Sequence, residues 1–113
     1  MKKLIALLMA VVLVLGLTAC GTQGDEPATF KVGAIYINSK NDTAGYTFAH
    51  HNGITKAMEE LGLDVNTQLV IVDEVPEDKE QVLAAVDTLV GEGANIIFGI
   101  SFGYIDALDV MIN

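Results

Sequence analysis

The chain has 113 residues, enough for one small domain, and its 15 acidic and 6 basic residues give a formal net charge of -9. All of the basic residues are lysines. So little positive charge cannot neutralise the phosphates of DNA or RNA, which excludes a nucleic-acid-binding protein.

The first 19 residues are organised like a bacterial secretion signal. Lys2 and Lys3 supply a positive start, and an uninterrupted apolar run of about 12 residues follows from Leu4 to Leu15. That run is shorter than the ~20 residues of a membrane-spanning helix. The tetrapeptide Leu17-Thr18-Ala19-Cys20 resembles the lipobox of bacterial lipoproteins. The resemblance implies cleavage before Cys20, diacylglyceryl transfer to its sulfur, and a lipid anchor on the extracytoplasmic side of the cell membrane.

Cys20 is the only cysteine, so no intramolecular disulfide can form. An ordinary signal peptide with a chance thiol is the alternative, but a lone exposed thiol is a liability in an oxidising compartment, which favours lipidation. One lipid-modified residue attaches a chain to a membrane surface without spanning it. Residues 20–29 are then the lipidated cysteine and a polar tether, and residues 30–113 form the folded unit.

Residues 30–113 alternate between apolar β-rich runs and helical patterns. Strands are predicted at 30–37, 68–72 and 95–100, because short, nearly continuous apolar runs suit strands that are buried on both faces. A first helix follows the loop after Asn38 and is expected to end at Gly62. A second begins at Pro76, with Glu77, Asp78 and Glu80 in its first turn, and a third follows the Ser-Phe-Gly turn.

Each predicted helix carries an apolar stripe that should face the sheet. The stripes are Ile54, Ala57, Met58 and Leu61 in the first helix; Val82, Leu83, Val86, Leu89 and Val90 in the second; and Ile105, Leu108 and Ile112 in the third. The βαβαβα order predicts an α/β fold with a doubly wound parallel sheet. Ligands of such sheets bind beyond the carboxyl ends of the strands, here at loops 38–46, 73–76 and 99–104.

Three parallel strands leave one edge and several helix faces uncovered. The chain is therefore expected to be an N-terminal fragment of a longer protein, which leaves open a non-functional gene fragment as one reading.

Four stretches after the lipobox carry a family resemblance: KVGAIYI, NDTAGYTFAHHNGITKAMEELG, VDEVPED and ANIIFGISFGYIDAL. Together they resemble the start of basic membrane protein (BMP)-type substrate-binding lipoproteins, which serve ABC importers, and the resemblance covers essentially the whole chain. It implies part of the first lobe of a type I periplasmic binding protein. It further implies a small nucleoside-like ligand, an ABC permease as partner, and neither a cofactor nor catalysis.

The same resemblance implies roles for six residues. Asp42 is the loop carboxylate, Tyr46 the aromatic that stacks on a base, and Asp106 the acidic residue at the start of the third helix. The turn that precedes Asp106 consists of Ser101, Phe102 and Gly103. Structural readings stay open beside these: a turn residue for Asp42, a helix-start contact for Tyr46, a helix-dipole partner for Asp106, and core or hinge packing for Phe102.

Two adjacent histidines open the first helix. His50 and His51 point about 100° apart on a helix, so they cannot converge on one metal ion. His50 shares the stripe of Ile54 and is expected to pack inside with a hydrogen bond to the backbone, whereas His51 is expected at the surface or rim. A flavodoxin-like enzyme that uses Asp42 or His50 as a base is a competing class, but no catalytic motif supports it.

The acidic run at positions 73–80 is expected to be a solvated face and helix start. A divalent cation is an alternative, although the spacing does not match an EF-hand.

Overall fold

A computed structural model of the chain describes residues 29–112. The predicted signal segment and Cys20 lie outside these residues. The elements, in chain order, are β1 (Val32–Tyr36), α1 (Gly45–Glu60), α2 (Val65–Gln68), β2 (Leu69–Val72), α3 (Lys79–Gly91), β3 (Ile96–Ile100), a 3-10 turn (Phe102–Tyr104) and α4 (Ile105–Asp109). This confirms the predicted α/β class and the alternating order. The short helix α2, which the Asp64 side chain caps by accepting from the Asn66 N–H, was not predicted.

The sheet has the strand order β2-β1-β3, and both of its ladders are parallel. All five residues of β1 are buried, because the central strand has a neighbour on each side and helices on both faces. The chain first connects β1 to its neighbour β2 on one side of it. It then crosses over β1 to reach β3, the neighbour on the other side. The direction of winding therefore reverses between β1 and β3.

The two faces of the sheet have different covers. Alternate β1 residues Ala34 and Tyr36 lie on the face that α1 covers, together with Ile54. Ile35 points to the opposite face and packs in a cluster from α3 and α4 that includes Leu89 and Tyr104. Helices on both faces make the sheet doubly wound, as the sequence predicts.

Helix α3 begins three residues later than the sequence suggests. Its N-cap is Asp78, whose side chain accepts a hydrogen bond from the Gln81 N–H at 3.1 Å. An aspartate at this position satisfies a backbone donor that the helix itself leaves unpaired, which a proline at position 76 cannot do. The prediction that Pro76 starts the helix, with Glu77 and Asp78 inside the first turn, is therefore wrong.

Several residues of the predicted apolar stripes are exposed. In α1, Met58 is buried, but Leu61 is 76% exposed. Val90, Ile105 and Ile112 are also exposed, whereas Ala85 and Ala107 are buried in their helices. The periodicity identified the helices correctly but not which face of each helix meets the sheet. Small residues such as alanine allow the closest approach of a helix to the strands, so they can occupy the buried face.

An apolar groove of about 340 Å³ runs between α1 and the open side of β3. Residues near the amino ends of the strands contribute most of its wall: Phe30, Val32, Ala57, Leu61, Leu63 and Ile96. Phe98 on β3 is 39% exposed within it. Among residues 29–112, β3 has no strand paired to its outer edge, which borders this groove.

Gly99 packs so closely against α4 that a Cβ there would require the Leu108 side chain to move. A Cβ at this residue would lie 2.5 Å from Cδ1 of Leu108, so we expect Gly99→Ala to lower the free energy of unfolding by about 1–3 kcal/mol through overpacking. Gly53→Ala is the matched control, because a Cβ in the middle of α1 meets no atom within 4 Å and should stabilise the helix by roughly 0.5–1 kcal/mol. Urea unfolding measures both changes. If Gly99→Ala and Gly53→Ala changed the free energy of unfolding equally, the packing of α4 on β3 would be contradicted.

Candidate functional site

The carboxyl ends of the three strands meet at one edge of the sheet. Tyr36 pairs with Ile100, so the loop after β1 and the turn after β3 leave the sheet side by side. The first leads to α1 on one face, and the second leads to α4 on the other. Loops that diverge in this way leave a crevice at the point where the winding reverses, the usual ligand site of open α/β sheets. We call this edge the rim.

The loop after β2, residues 73–78, connects the other two parts of the rim. The Val75 N–H donates to the Tyr36 carbonyl at 3.0 Å, and the Asp73 side chain accepts from the Lys40 N–H at 2.8 Å. The Tyr104 hydroxyl donates to the Val75 carbonyl. The loop therefore joins β1 on one side and the turn after β3 on the other.

Glu77 makes the most specific contact at the rim. Its Oε1 accepts hydrogen bonds from the Ser101 hydroxyl and from the Gly103 N–H, the latter at 3.1 Å. A Cβ on residue 103 would overlap this carboxylate, so a larger residue there would displace the Glu77 side chain. Residues 73–80 form the expected exposed face and helix start, with Asp78 as the N-cap of α3, but Asp73 is half-buried and Glu77 also accepts hydrogen bonds from the turn after β3. A glutamate two residues before a helix carries no pattern that indicates a partner more than 20 positions away.

Asp42 and Tyr46 lie on the first part of the rim. Asp42 is half-buried, and its N–H donates to the Ser39 carbonyl at 3.1 Å, which is a turn contact. Tyr46, in the first turn of α1, is 50% exposed. The His50 ring packs against it with centroids 4.3 Å apart and a tilt of 47°, so His50 covers part of the Tyr46 ring.

The two histidines have the reverse of their predicted positions. His50 is exposed, although its Nδ1 does hydrogen-bond to the backbone as expected, at 2.9 Å from the Tyr46 carbonyl oxygen. His51 is half-buried, and its Nδ1 lies 2.9 Å from the hydroxyl of Tyr36, whose ring it meets edge-on. His51 meets Tyr36 because the face of α1 that carries Thr47 and His51 packs on the sheet. Thr47 is itself buried, and no residue between 29 and 112 forms a hydrogen bond with its hydroxyl.

The remaining candidates follow β3. Ser101 is half-buried, Asp106 is exposed in the first turn of α4, and Phe102 is 86% exposed, so core packing of Phe102 is wrong. Within residues 29–112, no hydrogen bond joins Asp42, Tyr46 or Asp106 to one another. These residues share an edge of the sheet without forming a closed cluster.

A cavity beside β2 lies next to the rim, and none of the predicted ligand residues lines it. Its volume is about 340 Å³, and its walls are Val72, Asp73, Glu74, Val75, Gln81, Ala84, Ala85 and Thr88. No group of three or more His, Cys, Asp or Glu side chains in the described part of the chain could hold a metal ion. None of the helices in residues 29–112 is long and apolar enough to cross a membrane.

No protein-family model matches the chain, and no curated protein matches it.

Two buried tyrosines make the stability of the fold sensitive to alkaline pH. Burial raises the pKa of Tyr36 from 10.0 to about 12. Burial and then the charge of Glu77 do the same for Tyr104. Between these values the unfolded chain loses protons that the folded chain retains, so the free energy of unfolding should fall as the pH rises through this window.

Urea unfolding at a series of pH values from neutral to pH 12 measures this slope. Tyr104→Phe should flatten it and also lower stability at neutral pH by about 1 kcal/mol, because the Val75 carbonyl loses its donor. A slope that is unchanged in the variant would contradict the burial of Tyr104.

Proposed function

We propose that this chain belongs to an extracytoplasmic substrate-binding lipoprotein of an ABC importer and that its rim contributes to a site for purine nucleosides or related small molecules. The lipobox would anchor it to the membrane, and an ABC permease would receive the ligand. The chain would bind without making or breaking covalent bonds.

The observation that carries this proposal is the reversal of winding between β1 and β3. The segments that flank this reversal contain Asp42 in the loop after β1 and Tyr46 at the start of α1, followed by Ser101, Phe102 and Gly103 in the turn after β3 and Asp106 at the start of α4. The resemblance of the sequence to BMP-type lipoproteins assigned ligand roles to these residues. Their common edge is the one at which such sheets bind ligands.

The chemistry of the rim suits a neutral ligand with hydroxyl and amino groups. Ionised carboxylates accept hydrogen bonds and cannot donate them, so Asp42 and Asp106 favour a ligand that supplies donors. Ribose hydroxyls and the exocyclic amino groups of purines are such donors. Tyr46 adds an exposed aromatic face on which a base can stack.

Nucleoside binding can be tested by titrating the ¹⁵N-labelled protein with adenosine and inosine. We expect the backbone amides of residues 42–46 and 101–106 to shift, because these segments form the rim. NMR titration detects Kd values in the millimolar range, which correspond to only about 4 kcal/mol of binding free energy. Asp106→Asn should weaken binding about tenfold or more by removing a charged acceptor.

Asp87→Asn is the matched control, since it removes the same charge from an exposed position in α3, away from the rim. Its affinity should equal that of the wild type. Amide shifts that appear only in the apolar groove, or no shifts with either nucleoside, would overturn the assignment of the ligand.

The lipid anchor is tested separately by expression of the chain in bacteria. Wild-type protein should partition into detergent and incorporate labelled fatty acid, whereas Cys20→Ser should remain unprocessed and unlabelled, because Cys20 is the only thiol. Equal labelling of both proteins would rule out lipidation at Cys20.

A further inference from the structure

Glu77 occupies the donors of the turn after β3. The Ser101 hydroxyl and the Gly103 N–H both donate to the same carboxylate oxygen, Oε1. A ligand cannot use these donors while Glu77 holds them. The turn is thereby converted from a group of free donors, which would attract an anion, into a surface with a negative charge.

The second oxygen of the same carboxylate is unused by the protein. Oε2 of Glu77 accepts no hydrogen bond from any residue between 29 and 112, and the side chain is exposed. An ionised carboxylate has about four acceptor positions, so Oε2 can accept from a hydroxyl or amino group without breaking the contacts of Oε1. The position of the carboxylate is fixed by its two bonds to the turn, which lowers the entropy cost of using it.

The charge around Glu77 acts in the same direction. The loops after β1 and β2, residues 73–79 and the start of α4 contain Asp42, Asp73, Glu74, Asp78 and Asp106 as further acids, and Lys40 and Lys79 as bases. These five acids and Glu77 outnumber the two bases, so the net charge at this edge is negative. Negative charge disfavours the approach of a phosphate.

We propose that Glu77 is a specificity-determining residue of the rim, which holds the turn through Oε1, accepts a hydrogen bond from the ligand through Oε2, and selects neutral ligands with hydroxyl or amino donors against phosphorylated ones. The proposal rests on the proposed function, because it names how the same rim distinguishes a nucleoside from a nucleotide. Sequence reasoning assigned Glu77 no such role.

The test compares inosine with inosine 5′-monophosphate by NMR titration of wild-type protein, Glu77→Gln and Glu80→Gln. Wild-type protein should bind inosine and show no saturation with the monophosphate at the same concentrations. Glu77→Gln keeps an oxygen for the turn but removes the charge and replaces an acceptor with a donor. It should weaken inosine binding about tenfold or more, as expected for a lost charged hydrogen bond, and should strengthen binding of the monophosphate.

Glu80→Gln is the control of equal charge change, from an exposed side chain in the first turn of α3. Its preference for inosine should match that of the wild type. The Gly103 amide resonance reports the turn contact directly and without ligand: it should stay close to its wild-type position in Glu77→Gln and move in Glu77→Ala. If Glu77→Gln does not fold, Gly103→Ala is the second variant, because its Cβ would displace the carboxylate and should shift the preference in the same direction.

The outcomes separate the two proposals. If Glu77→Gln has the same preference for inosine over the monophosphate as the wild type, the role of Glu77 alone is overturned. A Gly103 amide that does not respond to Glu77→Ala would overturn it as well. Wild-type protein that binds no nucleoside would remove the proposed function, and the specificity inference with it.

Discussion

The parallel pairing of β1 with both of its neighbours is the constraint on which the rest of the structure depends. All five residues of β1 are buried, and each backbone edge of the strand is paired, so its register determines that of β2 and β3. Parallel pairing also sends all three carboxyl ends to the same side of the sheet. The rim exists because of this geometry, before any particular side chain is considered.

The loop of residues 73–78 makes the rim a connected structure. Asp73 and Val75 join it to the β1 side, while Glu77 and the Val75 carbonyl join it to the turn after β3. Loops without such contacts adopt many conformations, and a ligand must then order them at a cost in entropy. Here the protein's own hydrogen bonds order the rim, which is suited to binding by a preformed surface.

The two ends of the sheet have different chemistry. The rim at the carboxyl ends is acidic and rich in backbone polar groups, whereas the groove near the amino ends is formed almost entirely by apolar side chains. The open edge of β3 borders this groove. Uncovered strand edges and apolar surfaces of this kind are usually protected in stable proteins, so the amino end is where this fold is least complete.

The sequence by itself determined the number, type and order of the main elements. Short apolar runs identified the strands, and Gly62, which is at positive φ, identified the C-terminal end of α1, because these features depend on residues that are neighbours in the chain. The six candidate ligand residues came from the family resemblance, and they lie in the loop or turn after β1 and β3 or in the first turn of the helix that follows.

Only the tertiary structure decided which groups meet. Glu77 and Gly103 are 26 positions apart, and no local pattern could indicate their hydrogen bond. The exchange of roles between His50 and His51 depends on the rotation of α1 about its own axis, which changes the buried face by about 100° from one residue to the next. Periodicity identifies a helix through the average of its pattern, whereas burial of one side chain depends on the shape of the surface that the helix meets.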